Sequence, residues 1–283
     1  MNDHANKKRY SAAVQTAGDY YNSEDADNFY TLVWGGEDIH IGLYEHPHEE
    51  IYTASVRTNA VMAGQVPGLG ADTRVIDLGS GYGGALRYLA REYGCHGTGF
   101  NVSERENERG RRQNAEQGLD DRIEIVEGNF EDVTYDDASF DVVWSQEAFL
   151  HSGDRRRVLE EAVRILRPGG TFIFSDPMQA DDRSNAGLEP ILDRLHLDTL
   201  GSPAFYRDTL RELGLEEVSY DQRGEMIATH YGRVREVLID EQDEVGRHLS
   251  SDYVERMKTG LQHWVDGGNR GDLTWGIFMF RKG

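Results

Sequence analysis

The stretch VIDLGSGYGGALRYLA, residues 75–90, constrains the fold more than any other part of the chain. A short apolar strand runs into a glycine turn, and a helical pattern follows at once. Gly79, Gly81 and Gly84 stand in G-x-G-x-x-G spacing, the fingerprint usually read as dinucleotide binding. From Arg74 onward, strand and helix patterns alternate. RVIDLG (74–79), HGTGFNV (96–102), IEIVEG (123–128), FDVVWSQ (140–146) and TFIFSD (171–176) read as strands. Between them lie a helix over 83–93, the segment 103–118 with a capping signal at Ser103 and Glu106, and the amphipathic helix 154–166 closed by RPGG. That alternation predicts an α/β fold, a doubly wound and mostly parallel sheet. Two more strands, near 215–220 and 275–280, bring the count to seven and flank an insert of about 50 residues. The insert is the natural lid over the carboxyl edge of the sheet, where open α/β sheets bind ligands.

The glycine loop raises a question of charge. Asp77 stands two residues before the first glycine, where a dinucleotide would bring its pyrophosphate; a carboxylate there opposes an anion. S-adenosylmethionine is the reverse case, with a sulfonium, an ammonium and no phosphate, so an adjacent acid favours it. Asn101 ends the second strand where an acid would clasp ribose hydroxyls, with Val102 beside it; Asn can still bond a diol, less strongly than a carboxylate. Asn129 and Phe130, in EGNF at the end of the third strand, come within reach of an adenine edge. Ser145, near the end of the fourth strand, completes the cofactor set. Three successive strand ends each offer a fitting group, which favours S-adenosylmethionine over NAD.

Composition removes other partners. The chain carries 51 acidic residues against 30 basic ones, a net charge of −21, and only four lysines. So acidic a surface repels nucleic-acid phosphates and anionic lipids, so no nucleic-acid or membrane partner is expected. It suits a salt-rich cytosol, where self-repulsion is screened, and equally an ordinary acidic enzyme. The single cysteine, Cys95, excludes an internal disulfide and any multi-cysteine metal site. HPHEE (46–50) lacks the helical spacing of a metal site and reads as a solvated loop; no metal is expected. MNDHANKKRY opens the chain without an apolar segment, so a cytoplasmic location is expected.

VIDLGSGYGG, EGNFEDVTYDDASFDVVWS and RILRPGGTFIFSDP resemble the class I S-adenosylmethionine-dependent methyltransferases throughout residues 72–180, with a Rossmann-like fold. More specifically, YYNSEDADNFYTLVWGGEDIHIGLY (20–44), WSQEAFLHS (144–152), HYGRVREVL (230–238) and the C-terminal segment 255–283 resemble the sarcosine/dimethylglycine N-methyltransferases of glycine betaine synthesis in halophiles. The resemblance implies methyl transfer from S-adenosylmethionine to sarcosine and dimethylglycine, small amino-acid substrates, to make an osmoprotectant. It implies one methyltransferase domain: an N-terminal cap over 1–71, a cofactor-binding core over 72–176, and a substrate or lid region with the last strands over 177–283. It also places Ile39 and His40 over the cofactor.

The reaction is an in-line displacement at a sulfonium carbon, so the protein must position a neutral amine, exclude water and take up a proton. His151, after strand four, is the first choice for that proton, with Tyr21 preferred over Tyr20 as its hydroxyl partner. Glu147 could pair with the acceptor ammonium. The acceptor carboxylate calls for an arginine, and Arg194, Arg207 and Arg233 are candidates, Arg233 slightly favoured. Trp264, Tyr206 and Trp34 are candidates for an aromatic wall against the trimethylammonium product. A phosphoethanolamine-type acceptor and a non-catalytic cofactor-binding protein are the alternatives. Whether glycine is accepted, the oligomeric state, and whether the chain is half of a fused enzyme stay open at this stage.

Overall fold

The computed structural model describes residues 11–283; the polar opening segment read above for a targeting signal lies outside them. The chain begins with α1 (Ala12–Tyr21), capped by Ser11, whose Oγ accepts from Val14 N, and α2 (Glu24–Phe29), capped likewise by Ser23. The second helix runs on as a π-turn, Tyr30–Trp34, and ends at Gly35 with φ +114°. An extended segment leads to α3 (Ile51–Gln65). Then come β1 (Arg74–Leu78), α4 (Gly84–Tyr93), β2 (His96–Asn101), α5 (Glu104–Glu116), β3 (Ile123–Glu127) and β4 (Phe140–Gln146). A 3₁₀ turn, Phe149–His151, precedes α6 (Arg155–Ile165) and β5 (Leu166–Gln179). The remainder is α7 (Glu189–Leu195), α8 (Pro203–Glu212), β6 (Leu215–Gln222), α9 (Glu225–Asp240), α10 (Gln242–Val245), α11 (Ser251–Arg270) and β7 (Leu273–Lys282).

The seven strands form one sheet in the order β3-β2-β1-β4-β5-β7-β6, parallel except for β7, which runs antiparallel to both neighbours. Alternation along the strands divides the core. Val75 and Trp144 face one apolar layer, Ile76 and Val143 the other, so the central strands are buried on both faces as a covered parallel sheet requires. The chain order reverses between β1 and β4, and the crevice at their carboxyl ends is the switch point where such sheets bind ligands. A third apolar layer closes that crevice. Phe29, Tyr30, Val33 and Trp34 pack with Val234, Tyr253, Val254 and Leu261, joining the N-terminal helices to α9 and α11.

Two local expectations are refined. RPGG does not stop the chain before strand five; β5 begins at Leu166, paired with Phe140, and the next pair is Val142 with Thr171, so the segment between arches out of the ladder with Gly169 at φ +77°. Ser103 does cap α5, accepting from Glu106 N. The Glu106 carboxylate, however, turns away from the cap and accepts from Asn101 Nδ2 at 2.9 Å.

Candidate active site

The glycines are present for contact as much as for conformation. Gly79 adopts φ +88°, and a Cβ there would lie 2.3 Å from Ala148 Cβ. A Cβ on Gly84 would lie 2.2 Å from Asp38 Oδ1, because the segment before Ile39 is laid across the start of α4. Arg87, fully buried on α4, holds that segment by donating to Glu37 Oε2 at 3.0 Å. The helix N-terminus on which a dinucleotide would place its pyrophosphate therefore already faces the carboxylate of Asp38, with Asp77 behind it. Phosphate has no place here.

Glu37, Asp38, His40, Asp77, Ser80 and Gln146 surround a small cavity against this loop. Burial pushes the Asp77 carboxyl up to about 8, with His40 opposing the shift. Asp77 Oδ1, Ser80 Oγ and Gln146 Nε2 are buried without a hydrogen-bond partner among the described residues. Unpaired buried polar atoms are costly, and a ligand bearing an ammonium and a carboxylate would satisfy them together. His40 is held against Asp38, Nε2 to Oδ1 at 3.3 Å, and that contact raises its pKa despite burial, which is the largest opposing effect.

An adjoining cavity is bounded by Ile39, Gly81, Asn101, Val102, Glu106 and Phe130. The acid missing from the end of β2 is thus supplied five residues later: Glu106, 3% exposed, stands beside Asn101 in this cavity, its carboxyl pushed up to about 8 by burial. In the sequence, the Ser103-x-x-Glu106 spacing points to a helix cap and not to this role. Two expected cofactor contacts do not reach either cavity. Ser145 is turned into the sheet, donating to Leu78 O at 2.7 Å, and its neighbour Gln146 faces the cavity instead. Asn129 folds back to accept from Glu131 N and leaves the cavity wall to Phe130.

The larger chamber, about 270 Å³, lies beneath the N-terminal helices, with Tyr20, Tyr21, Tyr30, Trp34, Tyr231 and Trp264 in its walls. Tyr21 and His151 meet in its wall, hydroxyl to Nε2 at 3.1 Å. Burial, reinforced by Arg194 and Arg155, lowers the His151 pKa to about 4, so the imidazole is neutral at ordinary pH. Burial raises Tyr21 well above the usual phenol range, so it keeps its proton. Tyr20 instead meets the Tyr253 hydroxyl at 2.9 Å, which resolves the choice between the two tyrosines.

Glu147 borders both cavities in a left-handed conformation, φ +49°. Its carboxylate accepts from Ile41 N at 2.9 Å, Ser175 Oγ at 2.7 Å and Trp275 Nε1 at 2.7 Å. It pins the segment over the cofactor cavity to the sheet; burial raises its pKa, opposed by His40 and these donors.

Of the three candidate arginines, only Arg194 lines the chamber. Its Nη2 lies 3.3 Å from the Met257 thioether, and among the described residues no carboxylate stands within ion-pair distance of it. Arg233, favoured from sequence, donates to Glu49 O and Glu236, outside the chamber. Arg207 is paired with Glu217 and stacks on Tyr220 on the far edge of the sheet. Tyr206 is fully buried in the core with its hydroxyl on Asp176 Oδ2 at 2.6 Å, so it cannot form an acceptor wall. Trp264 does line the chamber, stacked on Tyr231 at 4.9 Å, and so does Trp34, whose Nε1 donates to His40 O. Among the described residues no cluster of three metal-ligating side chains occurs.

The methyltransferase-domain profile matches residues 76–174. The chain is 59% identical over 271 residues to the sarcosine/dimethylglycine N-methyltransferase of Halorhodospira halochloris, covering 96% of this chain and 97% of that one. It is 56% identical to the glycine/sarcosine/dimethylglycine N-methyltransferase of Actinopolyspora halophila, of which it spans 48%. Among solved structures, a candidate sarcosine dimethylglycine methyltransferase from Galdieria sulphuraria superposes with a TM-score of 0.88 at 40% identity, covering 93% of this chain and 98% of that one.

Proposed function

The chain belongs to the sarcosine/dimethylglycine N-methyltransferases, and we propose that it methylates sarcosine to dimethylglycine and dimethylglycine to glycine betaine. It is an enzyme of the class I S-adenosylmethionine-dependent fold. We place it in the cytoplasm, acting on small amino acids; among the described residues no helix is long and apolar enough to cross a membrane. The observation that carries the acceptor assignment is Arg194: a guanidinium in an aromatic chamber whose recorded partner is a thioether, in a chain with 51 acidic residues. A charge so placed needs an anion, and the acceptor carboxylate is a monoanion that one planar guanidinium can bind. Among the described residues Arg194 is the one arginine or lysine in the chamber wall, whereas a phosphate dianion calls for more than one cation.

The cofactor half divides its work by charge. Asp77 and Gln146 would hold the amino-acid end of S-adenosylmethionine, Glu106 and Asn101 its ribose hydroxyls, and Val102 and Phe130 its base. When bound, it supplies an electrophilic methyl on a sulfonium. The chain's own task is then to deliver a lone pair. Tyr21 donates its proton to His151 Nε2 and takes the acceptor's ammonium proton in exchange, leaving a neutral amine and an imidazolium. For dimethylglycine this transfer must precede attack, because the quaternary product has no N–H left to lose. The low pKa of His151 makes the imidazolium short-lived, and the proton passes on to solvent. The rings of Trp34, Tyr231 and Trp264 exclude water and favour the growing methylammonium through cation–π contact.

Methyl transfer offered glycine, sarcosine, dimethylglycine and phosphoethanolamine in parallel tests the acceptor. Turnover of sarcosine and dimethylglycine is expected, and activity confined to phosphoethanolamine would overturn the reading.

A further inference from the structure

One face of α11 builds the floor of the acceptor chamber: Met257, Leu261 and Trp264, at positions i, i+4 and i+7, all border it. Position i+3 on the same stripe is Gly260, buried within the helix. Glycine in a helix interior is unfavourable by about 1 kcal/mol relative to alanine, and Gly260 lies well inside the 20-residue helix. The space its side chain would fill is taken by Arg194. A Cβ at 260 would lie 2.1 Å from Arg194 Nη1 and 3.1 Å from Cζ, and no other atoms than those of Arg194 are nearest to it.

We propose that Gly260 is a positioning residue for the acceptor: its missing side chain leaves room for the Arg194 guanidinium against α11, and that seat sets how well the fork is presented to the acceptor carboxylate. The inference rests on Arg194 holding the acceptor carboxylate. The guanidinium is the far end of a flexible chain, so a methyl at 260 displaces the fork without disturbing the backbone. Substitution with alanine therefore acts on stability and on binding with opposite signs. Helix propensity improves, and carboxylate binding worsens.

Four proteins test this: the parent chain, Gly260→Ala, Arg194→Ala and the double variant, each assayed with dimethylglycine at saturating S-adenosylmethionine. Gly260→Ala should raise KM for dimethylglycine roughly tenfold, the scale of one weakened charge-assisted hydrogen bond, with kcat changed by less than about twofold. Its melting temperature and its affinity for S-adenosylmethionine should not fall. In the double variant the clash has no partner, so its KM should equal that of Arg194→Ala alone. Additive losses in the double variant, or a KM for Gly260→Ala equal to that of the parent, overturn the proposal. An unchanged KM in Arg194→Ala would instead overturn the carboxylate assignment beneath it. Should Gly260→Ala fold poorly, Gly260→Ser in the presence and absence of Arg194 gives the same cycle.

Discussion

The two halves of the active site are held in different ways. Around the glycine loop, buried polar atoms stand unpaired: Asp77 Oδ1, Ser80 Oγ and Gln146 Nε2 wait on a ligand that brings both donors and acceptors. In the acceptor chamber Tyr21 meets His151 and Tyr20 meets Tyr253, and among the described residues no carboxylate pairs with Arg194. The first half recognises by many fixed polar points, the second by aromatic shape and a single charge. Binding of the cofactor should therefore spread over several residues, whereas acceptor binding should collapse on the loss of one.

The largest effect expected is on chemistry rather than binding. His151→Ala should lower kcat by roughly 10²-fold or more while leaving S-adenosylmethionine binding intact, measured by single-turnover quench and calorimetry. An unchanged kcat would reduce His151 to a structural residue of the 3₁₀ turn. Next comes Arg194→Ala, which should raise KM for dimethylglycine by ten- to a hundredfold, the loss of a charge-assisted pair, and leave the cofactor KM unmoved. Asp77→Asn should do the converse, weakening the cofactor roughly tenfold with the acceptor KM unchanged. Glu106→Gln, which keeps the shape but replaces one carboxyl oxygen with an NH2 group, should weaken the cofactor by only a few-fold, because Asn101 remains.

The last effect is on stability, and it is read as a slope with pH. Asp77 and Glu106 have carboxyls raised to about 8 in the folded chain, against ordinary unfolded values near 4. The folded state then binds more protons than the unfolded state between about pH 4 and pH 8, so stability falls as pH rises through that window. Thermal melts of the cofactor-free protein should show that slope, and Asp77→Asn with Glu106→Gln should flatten it. The cofactor's ammonium would favour the ionised Asp77, so binding near pH 7 should release protons, read by calorimetry in buffers of different ionisation enthalpy.

How much of this was legible in the sequence follows the same division. The sheet, its seven strands and the glycine loop were readable because period-2 alternation and strand-end spacing are local. Asp77, Asn101, Val102 and Phe130 sit where local pattern puts them. Ser145 and Asn129 did not, since adjacent residues at a strand end face opposite ways and the pattern did not say which faced the crevice. Glu106 was hidden because the same S-x-x-E spacing also reads as a capping box. In the chamber, pattern identified residue types but not directions. Arg194, Arg207 and Arg233 were all eligible by sequence, Arg233 slightly favoured; the carboxylates that Glu217 and Glu236 bring to the other two separate them. Glu236 stands three residues after Arg233 on α9, a local spacing that can be read from the sequence, whereas Glu217 reaches Arg207 from β6, which no local spacing encodes. The apolar layer shared by the N-terminal helices, α9 and α11 was equally invisible, as its members lie some two hundred residues apart.

The most direct test of the account compares His151→Ala and Arg194→Ala with the parent chain in rapid-quench single turnovers of dimethylglycine, across acceptor concentration. The division of labour predicts that Arg194→Ala regains nearly the parent rate at saturating acceptor, while His151→Ala remains slow at every concentration. Equal loss of the saturated rate in both variants would contradict it, and would mean that the carboxylate anchor and the proton acceptor are not separate parts of the chamber.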